Sequence, residues 1–461
     1  MNEALERLTL GDAARVLGLP APLFDAAFRG VAIDSRTLRP GELFVALAGP
    51  NFDGHDFVQQ AAARGAAGAV VSRPVSSDIP LLQVADSHAA LIQLARARRR
   101  AFRGRVLAVT GSNGKTTVKE MTAAILARRG AVLATEGNLN NDIGVPLTLL
   151  RLEPGDDFAM IEMGANHPGE IALLADIARP EVGIVTNAGA AHLEGFGDLD
   201  TVARSKGELF AALPAGGVAV INGDDRYAAL WRELASQAQV MAFALTHVDA
   251  TVRAEAVRAE ADGMHCRLVT PQGETALHLR LHGRHMVANA LAAAAAALAV
   301  GVELADIRQA LEGFRPVSGR LQVLAGAAGA TLIDDSYNAN PDSFRMAIDV
   351  LAALPGERIL VVGEMLELGE APQAAHAEVG RYARASGIER LYAVGAMAAH
   401  ACEGFGGGEA FATQAECVQH LRALLSADTT VLVKGSRGAR MENIVRGLAA
   451  ETAGTAPAVE G

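Results

Sequence analysis

Three cysteines in 461 residues are too few to staple a chain of this length, and Cys266, Cys402 and Cys417 lack metal-ligand spacing. A disulfide scaffold is excluded, and a reducing cytosol fits this usage. Aromatic residues make up only 4% of the chain. The core is therefore aliphatic, and with 48 glycines the composition favours the tight strand-helix junctions of an α/β protein over a β-sandwich. Positive charge is scarce as well: 41 Lys and Arg against 52 Asp and Glu give a formal net charge of -11. Nonspecific binding to nucleic acid or to an acidic membrane needs a positive field, so neither is expected. The longest strongly apolar segment, Ala290 to Val300, is Ala-dominated and far shorter than a membrane span. The start, MNEALERLTLGD, does not read as a signal peptide. A soluble, cytoplasmic protein without stable membrane association is expected.

Length and pattern suggest about three domains. Residues 1–84 hold short β-like pieces (GVAIDS, ELFVAL, GAVVS) and one Ala-rich helical run, which reads as a small α/β domain. Across 85–315, apolar runs alternate with helical segments: RVLAVT, DDFAMIEMG, EVGIVTNAG and GGVAVINGDD. That pattern predicts a mostly parallel sheet covered on both faces; with the loop that follows RVLAVT, it reads as a P-loop ATPase-like domain. Across 316–461 the alternation starts afresh with TLIDDS, RILVVGEM, RLYAVGAM and TVLVKGS, predicting a doubly wound, Rossmann-like third domain. The basic run ARARRRAFRGR, Ala95 to Arg105, reads as a solvated helix face without function.

Chemistry concentrates first in AVTGSNGKTTVKEM, Ala108 to Met121. A strand stops at Thr110, and Gly111, Ser112, Asn113 and Gly114 let backbone N–H groups converge on an anion at the coming helix N-terminus. Lys115 supplies countercharge, Thr116 is placed to ligate Mg²⁺, and Thr117 completes the run. Val109 stands where the usual G-x-x-x-x-G-K-[ST] pattern has glycine, so the match is partial. Glu162 ends the next strand, where a carboxylate can hold Mg²⁺, and His192 follows the strand after it. On spacing alone Lys206, in VARSKGELF, is a surface helical lysine.

Taken in order, TGSNGKTT, the EMG strand end, NAGAAHLEGFG and the SKGE lysine resemble the Mur ligase family of ATP-dependent amide-forming enzymes, over nearly the whole chain. The family's phosphate loop has the form TGSNGKTT, which accounts for Val109. GNLNNDIGVPLTLL, DDSYNANPDS, VVGEMLELG and VKGSRGARME resemble the branch that joins D-alanyl-D-alanine to UDP-N-acetylmuramoyl-tripeptide. The resemblance implies those two partners, ATP and two Mg²⁺ ions as cofactors, and an acyl phosphate intermediate. It implies that Asp34, Ser35 and Arg36 meet the UDP part, and that Asn138, Asn140 and Asn141 lie along the tripeptide. Asn289, Arg320 and Asp335 would join the loop in binding ATP. Asn338, Asn340, Lys434 and Arg437 would meet the incoming dipeptide or phosphate. Lys115, Glu162, His192 and Lys206 would be catalytic, with Lys206 carbamoylated and ligating metal beside Thr116, Glu162 and His192. A monomer is expected. A folylpolyglutamate-type ligase, or a P-loop switch or motor that hydrolyses nucleotide without an amine acceptor, are the competing readings.

Overall fold

The computed structural model describes residues 8–190, 193–368 and 371–450. A short antiparallel ribbon, β1 (Leu8–Thr9) and β2 (Ala27–Phe28), precedes a four-stranded parallel sheet of β3 (Val31–Ala32), β4 (Leu43–Val45), β5 (Gly68–Val71) and β6 (Leu81–Gln83). The second sheet has nine strands: β7 (Arg105–Thr110), β8 (Val132–Ala134), β9 (Phe158–Glu162), β10 (Val182–Val185), β11 (Val218–Asn222), β12 (Gln239–Ala244), β13 (Val252–Glu260), β14 (Gly263–Thr270) and β15 (Gly273–Leu279). Their spatial order is β15-β14-β13-β12-β11-β10-β7-β9-β8, parallel from β8 to β13 and antiparallel beyond. The third sheet holds β16 (Gln322–Ala325), β17 (Thr331–Asp335), β18 (Glu357–Gly363), β19 (Arg390–Val394), β20 (Glu409–Phe411) and β21 (Thr429–Lys434), ordered β16-β17-β21-β18-β19-β20 with only β16 antiparallel. The α/β class and parallel sheets read from the sequence are those observed.

Strand β7 organises the packing. Leu107 and Val109 point into a cluster that continues through the Ala-rich helix Arg284–Ala299 to Phe344 and Ile348 on the helix Pro341–Ala352, and on to Leu432 in β21. Val106 and Ala108, on the other face, join a second cluster with Leu91 and Leu94 of the helix Ser87–Ala101 and with Leu43, Val45 and Val70 of the first sheet. The period-2 alternation of one buried strand thus ties the second sheet to both neighbours. After β7 the chain fills one side of the sheet (β8, β9) and then the other (β10 onward). The reversal opens a crevice at the C-terminal end of β7, where open parallel sheets bind ligands.

Two features differ from the sequence reading. The sheet continues past β13 as the antiparallel strands β14 and β15, which the sequence reading did not pick out; in β13 only Val252 and Ala254, at its start, are buried. The basic run is not simply a solvated face. Arg98 and Arg99 are buried; Arg98 donates to Leu152 O, while Arg99 donates to Ala178 O at 2.7 Å, Arg179 O at 2.8 Å and Glu181 Oε1 at 2.8 Å. Each guanidinium satisfies carbonyls at the end of a neighbouring helix, which offsets the cost of its burial. Among the described residues no helix is long and apolar enough to cross a membrane.

Candidate active site

The crevice is a cleft of about 610 Å³ between the strand ends of the second sheet and those of the third. Its first wall is the loop 111–114. Gly111 has φ +139°, and a Cβ there would lie 2.0 Å from Thr186 Oγ1; Gly114 has φ +83°, and a Cβ would lie 2.6 Å from Asn289 Oδ1. Both positions therefore require glycine. Gly114 caps the helix Lys115–Leu126, so the first N–H groups of that helix face the cleft without a side-chain cap. Lys115 folds across its own loop, donating to Gly111 O at 2.6 Å and Ser112 O at 3.2 Å. Burial pushes its ammonium down to about 8, partly opposed by Glu162 and reinforced by Arg320. The loop is braced from β10: Asn113 N donates to Asn187 Oδ1 at 2.9 Å, and Thr186 Oγ1 donates to Asn113 O at 2.6 Å.

Carboxylate and metal chemistry collects at the end of β9. Glu162 is buried; Asn140 Nδ2 donates to its Oε1 at 2.8 Å, while Oε2 accepts no hydrogen bond from the described residues. A buried carboxylate oxygen left without a partner is costly unless a cation takes it. Thr116 Oγ1, also in the cleft wall, accepts from Arg320 Nη2 at 3.0 Å. Lys206 stands behind the wall. Its Nζ donates to Ala165 O at 3.2 Å, lies 5.0 Å above the Phe196 ring, and the residue is 2% exposed. Burial, then the nearby Lys115 charge, pushes its amine down to about 7. The surface-helix reading of this lysine is therefore corrected: it is a buried amine. His192 lies outside the described residues.

The opposite wall comes from the third sheet. Register pairs Asp335 with Lys434 on adjacent parallel strands β17 and β21, so both reach the same edge. Lys434 Nζ donates to Asp335 Oδ2 at 2.6 Å and to Asn338 O at 2.9 Å. Burial lowers the Lys434 pKa and Asp335 opposes the shift. Arg320 stacks 4.1 Å over the Tyr337 ring, with its Nε buried and lacking an acceptor among the described residues. Arg437 also lines the cleft, 5.6 Å from Tyr337.

Of the other residues picked out from sequence, Asn138, Asn140, Asn141, Asn289, Asn338 and Asn340 all line this cleft. Asn141 Oδ1 accepts from Gly144 N at 2.9 Å at the start of the helix Gly144–Leu150, and Asn340 caps the helix Pro341–Ala352. Asp34, Ser35 and Arg36 lie apart from it, beyond β3: Arg36 pairs with Asp34 at 2.7 Å and Ser35 Oγ donates to Gln60 Oε1 at 2.7 Å. Residues that sequence reasoning passed over are Asn187, His285, Tyr337 and Asp342. Asn187, Tyr337 and Asp342 fall inside segments quoted above, and a polar residue at a buried strand end was the available signal for Asn187. His285 borders the cleft beside Asn289, its imidazole pushed down to about 4 by burial and by the Lys434 charge.

An N-terminal parallel sheet, a phosphate loop at a switch point and a facing third sheet define a nucleotide-binding α/β enzyme with a cleft closed from two sides. Three family profiles match: Mur ligase family, catalytic domain, over residues 27–103; Mur ligase middle domain over 109–297; and Mur ligase, glutamate ligase domain, over 319–437. The chain belongs to the Mur ligase family. It is 45% identical to the UDP-N-acetylmuramoyl-tripeptide--D-alanyl-D-alanine ligase of Escherichia coli over 96% of this chain and 98% of that one, and 34% identical to the Bacillus subtilis protein of the same name over 91% and 93%. Among solved structures, MurF from Acinetobacter baumannii superposes with TM-score 0.90 at 38% identity, covering 96% of this chain and 98% of that one. MurF from Thermotoga maritima in complex with ADP gives 0.81 at 28%, covering 91% and 96%. The likeness to Mycobacterium tuberculosis folylpolyglutamate synthase, TM-score 0.65 at 16% identity over 78% of this chain and 93% of that one, is one of fold alone.

The Asp335–Lys434 pair makes a prediction about what its mutants report. Asp335→Ala strands a buried ammonium and should destabilise the third sheet by about 3–5 kcal/mol. Asp335→Ala combined with Lys434→Met should recover most of that loss in urea unfolding while ligation stays impaired. Recovery of both stability and activity would give the pair a purely structural role.

Proposed function

We propose that this protein is the ATP-dependent ligase that joins D-alanyl-D-alanine to UDP-N-acetylmuramoyl-tripeptide, giving the UDP-muramoyl-pentapeptide of peptidoglycan synthesis. One observation carries the reading: 45% identity to a ligase of that name over 96% of this chain. The reading divides the chain into a UDP-sugar-binding domain at 1–84, an ATP-binding domain at 85–315 and a dipeptide-binding domain at 316–461. It places a monomer in the cytoplasm, where nucleotide sugar and ATP are supplied.

The reaction must bring two anions together, so positioning and charge neutralisation dominate. The loop 111–117 and Lys115 hold the phosphates, with Asn289 beside the loop and Arg320 and Asp335 reaching in from the third domain. A terminal carboxylate oxygen of the tripeptide, laid along Asn138, Asn140 and Asn141, attacks the γ-phosphorus, and ADP leaves. The amine of the dipeptide, held near Asn338, Asn340, Lys434 and Arg437, then attacks the acyl carbon. Collapse of the tetrahedral intermediate expels phosphate, and the amine loses its proton. Asp34, Ser35 and Arg36 meet the UDP group at a distance from the chemistry.

Thr116 and Glu162 would hold one Mg²⁺, and His192 with carbamoylated Lys206 a second; the ions would supply charge neutralisation on the phosphate oxygens. The partnerless Glu162 Oε2 supports the first site. For the second, an ammonium at Lys206 would repel a metal, whereas an amine lowered to about 7 is substantially neutral at physiological pH and can add CO₂. Addition forms an N–C bond, releases one proton and leaves an anionic oxygen ligand.

Phosphate release by the purified protein should require UDP-N-acetylmuramoyl-tripeptide and D-alanyl-D-alanine together. Lys115→Ala should abolish it with the fold intact, a loss of at least about 3 kcal/mol of transition-state stabilisation. Phosphate release indifferent to the dipeptide would overturn the assignment.

Carbamoylation has its own signature. The neutral amine is the reactive form, so at fixed dissolved CO₂ occupancy should rise with pH through about 7 and activity should follow it. Lys206→Ala should be inactive and partly rescued by a short carboxylic acid. An active Lys206→Ala enzyme would refute the modification.

A further inference from the structure

The first turn of the helix Pro341–Ala352 is packed with the third sheet, yet its side chains reach two loops of the second. Asn340 is the N-cap: its Oδ1 accepts from Ser343 N at 2.8 Å, and its Nδ2 donates to Asn113 Oδ1 in the phosphate loop at 2.9 Å. Both ends of this amide are thus committed within the protein, so Asn340 acts on the dipeptide site through the phosphate loop and not by a direct contact. Two residues on, Asp342 Oδ2 accepts the backbone N–H of Ala190 at 3.0 Å, on the loop that follows β10. The approach is close: a Cβ on Gly189 would lie 2.6 Å from the same carboxylate oxygen.

The two loops so contacted are hydrogen-bonded to each other. Asn113 is bonded to Thr186 and Asn187, and Ser112 Oγ donates to Gly189 O at 3.0 Å while Gly189 N donates back to Ser112 Oγ at 2.9 Å. On its other side the helix packs on β18 and β21, where Phe344, Ala347 and Ile348 share one apolar cluster with Leu360, Val362 and Leu432 of those strands. The helix therefore transmits the position of the third sheet directly to the phosphate loop.

We propose that Asn340 and Asp342 are positioning residues for the ligation: they set the third domain, with its Asp335–Lys434 pair, in register on the phosphate loop through Asn113 and Ala190. The proposal rests on the ligase reading above and deepens it. Hydrogen bonds of ordinary strength, two of them lost together, shift a docked-undocked equilibrium by roughly tenfold or more. The undocked enzyme would hold the dipeptide poorly and leave the acyl phosphate open to water. Water in place of the amine then attacks the acyl carbon, and the carboxylate and phosphate are released without product.

The test uses the full-length enzyme with ATP, Mg²⁺ and both substrates. Asn340→Ser keeps an oxygen that caps the helix but is too short to reach Asn113. Asp342→Ala removes the acceptor for Ala190, and Asp342→Asn keeps one. The Asn340→Ser/Asp342→Ala enzyme should show a KM for D-alanyl-D-alanine raised at least tenfold and more than one phosphate released per pentapeptide, with ADP affinity, read by calorimetry, within twofold of wild type. Asp342→Asn should restore near wild-type values. A double variant with unchanged KM and one phosphate per product would overturn the proposal. Should that variant lose ADP binding through misfolding, Asp342→Ala alone, which leaves the cap intact, is read in the same way and unchanged values overturn it. Small-angle scattering of the nucleotide-free proteins separates this idea from the ligase reading. If wild type makes no pentapeptide the ligase reading fails, and a larger radius of gyration in the double variant still supports the contact, whereas an equal radius sinks it.

Discussion

Desolvated positive charge at two facing sheet edges is the constraint on which the rest of this structure depends. Lys115, Lys206 and Lys434 are all pushed below the ordinary lysine range by burial, and Arg320 has a buried Nε without an acceptor among the described residues. Such groups sit in a chain whose net charge is -11. Holding them out of water is unfavourable, and carbonyls of the loop with the carboxylates of Glu162 and Asp335 offset only part of the cost. Polyphosphate and a carboxylate bring the missing negative charge, so substrate binding completes an arrangement that folding leaves short of anions.

The fold supplies the rigidity that this requires. The phosphate loop follows a strand buried on both faces, and its glycines are fixed by contacts from β10 and from the Ala-rich helix. The third sheet brings Asp335 and Lys434 to one edge because β17 and β21 are parallel neighbours in register. Residues nearly 100 positions apart thereby become a hydrogen-bonded pair. The two sheets wall the cleft from opposite sides, and closing it over substrate would keep water from an intermediate that water destroys.

Much of this was legible in the sequence, for physical reasons that also mark where legibility stopped. RVLAVT, FAMIE and VLVK read as buried strands because parallel strands are apolar on both faces. TGSNGKTT read as a phosphate loop because glycine and lysine at that spacing serve few other purposes. Arg98 and Arg99 looked solvated because the carbonyls that hold them lie 54 to 80 residues away. Lys206 looked like a surface lysine because helical position alone does not tell which face is covered by Phe196 and Ala165. Asn340 is the instructive middle case. The run N-P-D-S carries the local mark of a helix start, an N-cap before Pro with a partner at the third position, while the bond to Asn113 spans 227 residues and has no local trace.

The central claim is that the cleft activates a carboxylate by transferring phosphoryl to it. The most direct measurement uses UDP-N-acetylmuramoyl-tripeptide labelled with ¹⁸O in its terminal carboxylate, with mass analysis of the phosphate released during ligation. The account predicts one labelled oxygen in each phosphate, carried there through the acyl phosphate. Unlabelled phosphate accompanying normal pentapeptide formation would contradict it.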